Sequence, residues 1–403
     1  MKKVFKKGKS PSVSNQLTSV QKFIEVCTKW LIVEDTDYFY VVFGAIFANR
    51  FLNSKPVWLY VIAPPGGGKT ELLQALDGHQ TIFSLSSLTE RSLISGMIQA
   101  DSNPENDPSL LPRIDGKILV IKDFTVILKE RRDVLSSIMG QLRDMYDGKS
   151  RRSFGTGKAT QYESKFGIIA GVTPEIDCHL TALSSLGERF ILYRLPELTN
   201  EEMTARAMQA SKNINADKQE AAIQKAAHYV LDMEPSIPVL PDEWLKKIEE
   251  MAALVAKART HVNRDRYSRE VLFKPTSEIH TRLLKQLSDL ARGITMAREK
   301  KVVGDDEIRL IYKVGMDCIP SNRRQLLEFL AQKFPQSVNN QEAADACKLS
   351  RSAMFYWMDD LFQLELVEKI ESTSNLHRSW SRYSWRLQGK YANLLKKRDN
   401  SDV

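Results

Sequence analysis

The sequence predicts an α/β domain with a parallel sheet, followed by a helical region and a small domain of helices and strands. Three observations predict this order. Short apolar runs alternate with helical patterns from residue 57 to about residue 198, which is typical of a parallel sheet with helices on its faces. Residues 199–318 carry the apolar periodicity of helices without strand patterns. Helical and strand patterns are then mixed over residues 319–387.

The predicted strands are short apolar runs bounded by polar turns. They lie at residues 57–63, 117–121, 166–172 and 190–195. Such runs are typical of strands that are buried on both faces. Residues 18–54 have helical periodicity and precede the first run, so we expect the α/β domain to span residues 18–198. Residues 1–17 are rich in Lys, Ser and Pro and predict a disordered arm.

Composition limits the class of protein. The 403 residues, 42% of them hydrophobic and 27% charged, indicate a globular protein with about two or three domains. The longest apolar run covers only residues 38–48, whereas a membrane-spanning helix needs ~20 residues. A secretory signal is not predicted either, because no apolar segment follows the basic start. The cysteines at 27, 178, 318 and 347 are far apart and are interpreted as reduced thiols. We therefore expect a cytoplasmic protein without a membrane partner.

The net charge of +8 is concentrated at the two ends of the chain. Residues 1–16 hold five lysines and no acid, and residues 372–403 hold seven Lys or Arg against two Asp. The residues between them are close to neutral. Basic ends of this kind suggest arms that contact phosphate backbones or other anionic surfaces. Frayed termini that only improve solubility are the alternative.

The strongest motif is a glycine-rich turn between the first predicted strand and a helical pattern. Its residues are Ala63, Pro64, Pro65, Gly66, Gly67, Gly68, Lys69 and Thr70. Glycines let the backbone N–H groups approach phosphate oxygens at the start of a helix. In such a P-loop, Lys69 reaches the β- and γ-phosphates and the Thr70 hydroxyl ligates Mg²⁺. The motif predicts that residues 65–70 bind ATP with Mg²⁺, although Ala63 replaces the usual first glycine.

A P-loop needs an acidic partner at the tip of a neighbouring strand, where it holds the metal ion and polarises the attacking water. The candidate is Asp123, because it follows the apolar run 118–121. The common pattern has Asp and then Glu at this point, whereas this chain has Lys122 and then Asp123. Asp123 is therefore either a metal ligand with no base behind it, or the base with Lys122 in the metal ligand's place. The sequence leaves both roles open.

The order of these motifs over residues 57–320 resembles the AAA+ ATPases, and in several places the minichromosome-maintenance branch of replicative helicases. That branch has Asp-Glu-Phe where this chain has Lys122, Asp123 and Phe124, which favours the base position for Asp123. The chain is also similar to ATP-binding proteins of bacteria and their mobile elements that carry Lys-Asp-Phe-Thr here. The resemblance implies an AAA+ P-loop domain, a helical lid over residues 199–318 and a ring, most simply a homohexamer.

The same resemblance assigns three further catalytic residues. Thr173 follows the third apolar run and matches sensor 1, which orients the attacking water. Arg189, in the segment Leu-Gly-Glu-Arg-Phe, matches an arginine finger that reaches the neighbouring subunit's site. Arg282 matches the phosphate-facing position of the sensor-2 helix. An ordinary exposed Arg at a strand start and a core helix around Arg282 are the alternatives.

Two basic elements are candidates for nucleic-acid contact. Residues 146–160 contain a glycine turn with Lys149, Arg151, Arg152 and Lys158 around it. This segment resembles the pre-sensor-1 hairpin that such motors project into a central channel to grip DNA, and a basic loop tip attracts a polyanion. A solvated surface hairpin is the alternative.

Residues 319–387 predict a winged helix. Helical patterns at 323–334 and 341–347 precede a third helix with apolar residues at 354, 358, 361 and 364, and strands at 367–370 and 380–387 bracket a polar wing. The exposed face of the third helix has little positive charge for reading a groove. Its residues are Arg351, Ser352, Phe355, Tyr356 and Asp359. The wing is richer, with Arg378, Arg382 and Arg386 among aromatic residues. A winged helix that binds protein is the alternative to one that binds DNA. Residues 388–403 are predicted to be a basic tail.

Together these features predict an ATP-dependent DNA helicase or translocase that acts as an oligomeric ring on single-stranded or forked DNA, in the replication of a mobile element. The alternative is an ATP-binding switch on DNA, such as an initiator, loader or regulator, with little hydrolysis. The unusual pair Lys122 and Asp123 keeps this alternative open. A remodeller of proteins would leave the basic hairpin and the wing unexplained.

Overall fold

The structure, a computed structural model, describes residues 17–89, 92–93, 109–153, 159–179, 189–371 and 383–396. Within these residues the strands are β1 Trp58–Ile62, β2 Ile82–Leu85, β3 Ile118–Ile121, β4 Lys149–Ser153, β5 Ala159–Glu163, β6 Gly167–Val172, β7 Phe190–Arg194, β8 Val338–Asn339, β9 Val367–Glu371 and β10 Tyr383–Leu387. The basic arm predicted over residues 1–17 lies outside the described residues, except for Leu17.

Helices of the described residues flank these strands and fill the region between β7 and β8. In the first 200 residues they are α1 Ser19–Thr28, α2 Asp37–Phe51, α3 Lys69–Ala75, α4 Leu111–Ile114, α5 Thr125–Leu128 and α6 Arg132–Tyr146. The later helices are α7 Asn200–Lys212, α8 Ala216–Leu231, α9 Asp242–Ala258, α10 Thr281–Ala297, α11 Asp305–Asp317, α12 Ser321–Lys333, α13 Asn340–Cys347, α14 Arg351–Gln363 and α15 Gly389–Lys396.

The core of the first domain is a five-stranded parallel sheet in the order β2-β3-β6-β1-β7. The prediction of an α/β domain with a parallel sheet is confirmed. Every residue of β1, β3 and β6 is buried, which explains why these strands are continuous apolar runs. β2 is an edge strand in which only Ile82 is buried, and the sequence did not predict it.

The register of the sheet determines which residues share an edge. Ile62 of β1 pairs with Val172 of β6, and Ile121 of β3 pairs with Ala170 of β6. The carboxyl ends of β1, β6 and β3 therefore lie side by side. Trp58 pairs with Phe190, so the start of β7 lies at the opposite edge of the sheet. These two edges hold the two groups of candidate site residues.

The helical region packs on the sheet domain through a very close crossing of α2 and α10. A Cβ added at Gly293 of α10 would overlap the carbonyl oxygen of Gly44 in α2, and one added at Gly44 would lie 2.8 Å from the backbone N of Ile294. Both helices are largely buried around this point. Only glycine on both helices allows the two backbones to approach this closely.

Gly293→Ala is expected to lower the free energy of unfolding by about 1–3 kcal/mol, because overpacking at a tight crossing forces the helices apart. Gly140→Ala is the matched control, since Gly140 lies inside α6 with nothing within 4 Å of an added Cβ. There the change should stabilise by about 0.5–1 kcal/mol, as alanine is the better helix former. Urea unfolding followed by circular dichroism measures both. A Gly293 variant as stable as the wild type would contradict the crossing.

A buried charge cluster joins the sheet to the helical region and to the C-terminal domain. Asp317, at the end of α11, is fully buried. Its carboxylate accepts from the backbone N of Arg194 in β7 at 2.9 Å and from Lys313 Nζ at 3.1 Å, and it also pairs with Arg324 of α12. Because a buried carboxylate needs partners, this cluster fixes the three parts to one another.

The C-terminal domain combines α12, α13, α14 and α15 with a three-stranded antiparallel sheet in the order β8-β10-β9. Trp385 at its centre is fully buried and donates from Nε1 to Asn340 Oδ1 at 2.9 Å. The segment predicted as a basic tail includes α15, in which Tyr391 and Leu395 are buried. The packed domain therefore extends at least to Lys396.

In the parts of the chain that the structure describes, no helix combines the length and the apolar character needed to span a bilayer. The four cysteines are free thiols; Cys27, Cys318 and Cys347 are buried, and Cys178 is exposed. Within the same residues, no cluster of His, Cys, Asp and Glu could hold a metal ion by itself.

Candidate nucleotide-binding site

The glycine-rich turn connects β1 to α3, in the order that the sequence predicts. Gly66 and Gly68 have φ values of +74° and +85°, and residues with a side chain rarely adopt this left-handed conformation. Gly68 caps α3, so Lys69 and Thr70 occupy its first turn. The loop thus turns sharply at the carboxyl end of a buried strand and presents its backbone at a helix start.

Lys69 is folded against this loop. Lys69 is only 6% exposed, and its Nζ donates to the carbonyl oxygen of Ala63 at 3.2 Å. Burial lowers the pKa of the Lys69 ammonium, and the carboxylates of Asp123 and Glu71 act in the opposite direction. An anionic oxygen would be a stronger partner for this ammonium than the carbonyl oxygen.

The neighbouring strand tips bring Asp123 and Thr173 to the same edge as the P-loop. Asp123 follows β3, and its Oδ1 accepts from the backbone N of Thr125 at 2.9 Å. Thr125 Oγ1 in turn accepts from the backbone N of Thr173, after β6, at 3.0 Å. The two predicted residues are therefore joined through Thr125, which is buried and which the sequence analysis did not single out.

Lys122 points away from this group. Its Nζ lies 2.6 Å from Oδ2 of Asp77, in the turn after α3. The ion pair explains how a lysine is accommodated at a strand tip next to a P-loop. Lys122 and Asp123 are neighbours in the sequence, but of the two it is Asp123 whose charge acts on the Lys69 ammonium at the glycine-rich turn. Whether it serves as metal ligand or as base stays open.

A cavity of about 840 Å³ opens beside the P-loop. It lies between the loop, the segment 30–35 that joins α1 to α2, and the helices α7 and α8. Trp30, Ile32, Leu198 and Met203 give it apolar walls, while Glu34 and Arg206 provide charged groups. Four further acids also line the cavity: Asp35, Glu71, Asp77 and Glu220. Its size and its apolar walls suit a nucleoside. Sequence reasoning missed it, because its walls come from segments that are distant in the chain.

Tyr38 of α2 forms a hydrogen bond to the first residue of α3, directly after the glycines of the loop. It is buried, and its hydroxyl donates to the carbonyl oxygen of Lys69 at 3.2 Å. Burial raises the pKa of Tyr38 well above its ordinary value, so the hydroxyl keeps its proton and remains a donor. The N-terminal helices therefore form part of the site and are not an appendage.

Arg189 and Arg282 lie together at the opposite edge of the sheet. Arg189 precedes β7, its side chain is 11% exposed, and its guanidinium lies 5.7 Å from the ring centroid of Tyr146. One turn beyond Arg282, Gln286 donates to the carbonyl oxygen of Arg189 at 2.6 Å. Burial, and then the charge of Arg282, lower the pKa of Arg189. The structure thus groups these two predicted residues and separates them from the P-loop.

The separation follows from the register. Phe190 pairs with Trp58, so Arg189 lies beside Val57, just before β1. The P-loop begins after the other end of β1. Strands rise ~3.3 Å per residue, so the distance along β1 is about 20 Å. Within one chain, Arg189 is therefore too far from the P-loop to reach a phosphate bound there.

The candidate nucleic-acid residues are only partly described. Lys149, Arg151 and Arg152 lie on β4, which pairs with β5 in a separate two-stranded hairpin between α6 and β6. Arg386, on β10, pairs with Glu368 at 2.8 Å. Lys158, Arg378 and Arg382 lie outside the described residues.

The face of α14 that the sequence analysis expected to be exposed is partly covered by the helical region. Arg264 pairs with Asp359 at 2.7 Å and donates from Nε to Asp360 at 2.8 Å. Its guanidinium lies 5.4 Å from the ring centroid of Tyr356. Because these half-buried acids of α14 pair with an arginine of the helical region, α14 packs between the two parts of the chain.

Comparison of the chain with models of known protein families found no match, and comparison with curated proteins found none either.

Proposed function

We propose that the chain is an AAA+-type ATPase that works as an oligomeric ring on DNA, as a helicase or translocase. The observation that carries the proposal is the arrangement of the candidate site residues at the two edges of the sheet. Lys69, Asp123 and Thr173 share the carboxyl edge with the P-loop, where open α/β sheets bind ligands. Arg189 and Arg282 share the other edge.

At the carboxyl edge the residues suit ATP with Mg²⁺. The N–H groups of residues 66–70 would hold the phosphates, with Lys69 opposite the β- and γ-phosphates. Thr70 is exposed in the first turn of α3 and would hold the metal ion, with Asp123 beside it as ligand or base. The ion would neutralise charge on the phosphates. Thr173, whose backbone N–H donates to Thr125, would orient the attacking water, and the apolar part of the cavity would take the base.

The arginine pair supports a ring. A residue that stabilises charge on the γ-phosphate must lie near it, and Arg189 is about 20 Å along β1 from its own P-loop, with Arg282 beside Arg189. Each would serve the site of the next subunit instead. A contact in which one edge meets the opposite edge of its neighbour is heterologous, and such contacts close into rings. The homohexamer expected from the sequence is one such ring.

DNA is the proposed partner because the hairpin between α6 and β6 carries basic residues. Its base is at the same edge as Arg189, since Asp147, just before β4, lies 3.7 Å from that arginine. Lys149, Arg151 and Arg152 on β4 are candidates for phosphate contacts, together with Lys158. Because Arg264 contacts α14, the wing predicted from the sequence stays the favoured DNA contact of the proposed winged helix, with Arg378, Arg382 and Arg386 as its candidate residues.

The Lys122–Asp77 pair favours a second candidate function, an ATP-binding switch on DNA with little hydrolysis. Usual P-loop sites have two acids in sequence at this strand tip, and here the first is a lysine engaged elsewhere. If Asp123 is needed for the metal ion, no adjacent residue replaces the base. An initiator, loader or regulator would be of this type.

Lys158→Ala is expected to abolish strand displacement while ATP hydrolysis continues. One lost phosphate contact lowers the salt slope of log K by only ~0.7 on single strands, so DNA affinity should barely change. In a motor, however, that contact couples hydrolysis to movement. Fork unwinding and ATP hydrolysis are measured on the same preparations, with Lys212→Ala on α7 as a control that removes an exposed lysine elsewhere. A wild type that binds DNA but never displaces a strand would leave the switch as the function.

A further inference from the structure

Helix α7 brings an arginine to the P-loop that no motif assigns. Arg206 Nη1 lies 3.2 Å from the position of a Cβ built on Gly68, and Nη2 and Cζ lie 3.9 Å from it. Gly68 directly precedes Lys69 and caps α3. The guanidinium is therefore in contact distance of the loop that would hold phosphate.

Arg206 is held in this place by an acid. Its Nε donates to Glu34 Oε1 at 3.1 Å, and Nη2 pairs with Glu34 Oε2. Glu34 lies on the segment between α1 and α2, and both residues line the cavity beside the P-loop. Their side chains are 21% and 19% exposed, so the pair is shielded from solvent on most sides.

We propose that Arg206 binds a phosphate of ATP within its own subunit, and that Glu34 holds this arginine until the nucleotide arrives. The proposal rests on the proposed ATP site. The guanidinium has five N–H donors in a planar fork that matches carboxylate and phosphate equally well. A triphosphate on the P-loop would carry more negative charge than Glu34 and would lie within reach of the same guanidinium, whose Nη1 is the atom nearest to Gly68. Arg206 then exchanges one anion for the other.

This exchange has a consequence that a purely structural ion pair lacks. If Glu34 and Arg206 only closed the cavity, losing either residue would change ATP affinity in the same direction. If ATP competes with Glu34 for Arg206, loss of the arginine weakens binding and loss of the acid strengthens it. The two single variants therefore differ in sign.

The test is isothermal titration of the full chain with ATP and Mg²⁺. Arg206→Ala is expected to weaken binding about 10- to 100-fold, the worth of a hydrogen bond to a charged group. Glu34→Gln is expected to tighten binding several-fold. In the double variant, the affinity should equal that of Arg206→Ala, since Glu34 acts only through Arg206. Lys212→Ala, at the far end of the same helix, should bind as the wild type does.

Three outcomes would overturn the proposal. The first is ATP binding by Arg206→Ala as tight as that of the wild type, and the second is a change of affinity in the same direction in both single variants. The third is a double variant whose affinity differs from that of Arg206→Ala. Melting temperatures establish that each variant is folded, and Arg206→Lys, which keeps the charge, provides a milder change that should retain part of the affinity. A wild type that binds no ATP overturns the proposed function as well. Binding by the wild type and its loss in Lys69→Ala leave that function standing whatever Arg206 does.

Discussion

Lys69→Ala is expected to abolish ATP binding. The ammonium is the cation that the P-loop places opposite the β- and γ-phosphates, and it is folded against the loop's own carbonyl groups. Burial lowers the pKa of Lys69, which means that the protein holds this charge at a cost. Removing it should leave the free energy of unfolding unchanged or higher. Isothermal titration with ATP and Mg²⁺ should show no heat for the variant.

Lys129→Ala is the matched control for this result. Lys129 follows α5, near the same edge of the sheet, and pairs with Glu175 at the surface at 2.9 Å. Exposed pairs of this kind contribute little to stability, so the control should fold and bind ATP as the wild type does. Undiminished binding by Lys69→Ala would contradict the assignment of residues 63–70 as a P-loop.

Arg189→Ala is expected to remove most ATP turnover while ATP affinity changes only a few-fold. The reason is that an arginine supplied by a neighbouring subunit acts mainly on the transition state, where such residues are worth about 10³–10⁵ in rate. Steady-state hydrolysis and ATP titration on the same preparation separate the two effects. Because Arg189 packs on Tyr146, a thermal melt accompanies the measurement.

Mixing two inactive variants tests whether the site is shared. Rings that contain both Arg189→Ala and Lys69→Ala subunits have some interfaces with an intact P-loop on one side and an intact arginine on the other. Partial activity should therefore return on mixing. Arg143→Ala, which removes a nearby exposed arginine of α6, should retain its turnover. Failure of every mixture to regain activity would place the complete site within one subunit.

Burial explains which strands could be predicted. β1, β3, β6 and β7 lie within the four apolar runs of the sequence, because strands covered on both faces contain few polar residues. β2 escaped prediction because an edge strand of four residues with one buried residue has no clear pattern. β8, with two residues, is too short for any periodicity.

The parts of the candidate site that could be predicted are those that a continuous stretch of the sequence marks. The P-loop is a single segment, and Asp123 and Thr173 each follow an apolar run, so strand tips were enough to find them. Arg206 has no such marker, since its place beside Gly68 depends on how α7 folds back over the loop. The partner of Lys122 was equally hidden, because Asp77 belongs to the turn after another helix.

The most direct test of the account is steady-state ATP hydrolysis by the wild type over a range of protein concentrations, with and without single-stranded DNA. The proposed site is complete only between subunits, so turnover per chain should rise with protein concentration as rings form. Single-stranded DNA should raise it further. ATP that is bound but not hydrolysed at any protein concentration, with DNA present, would contradict the motor.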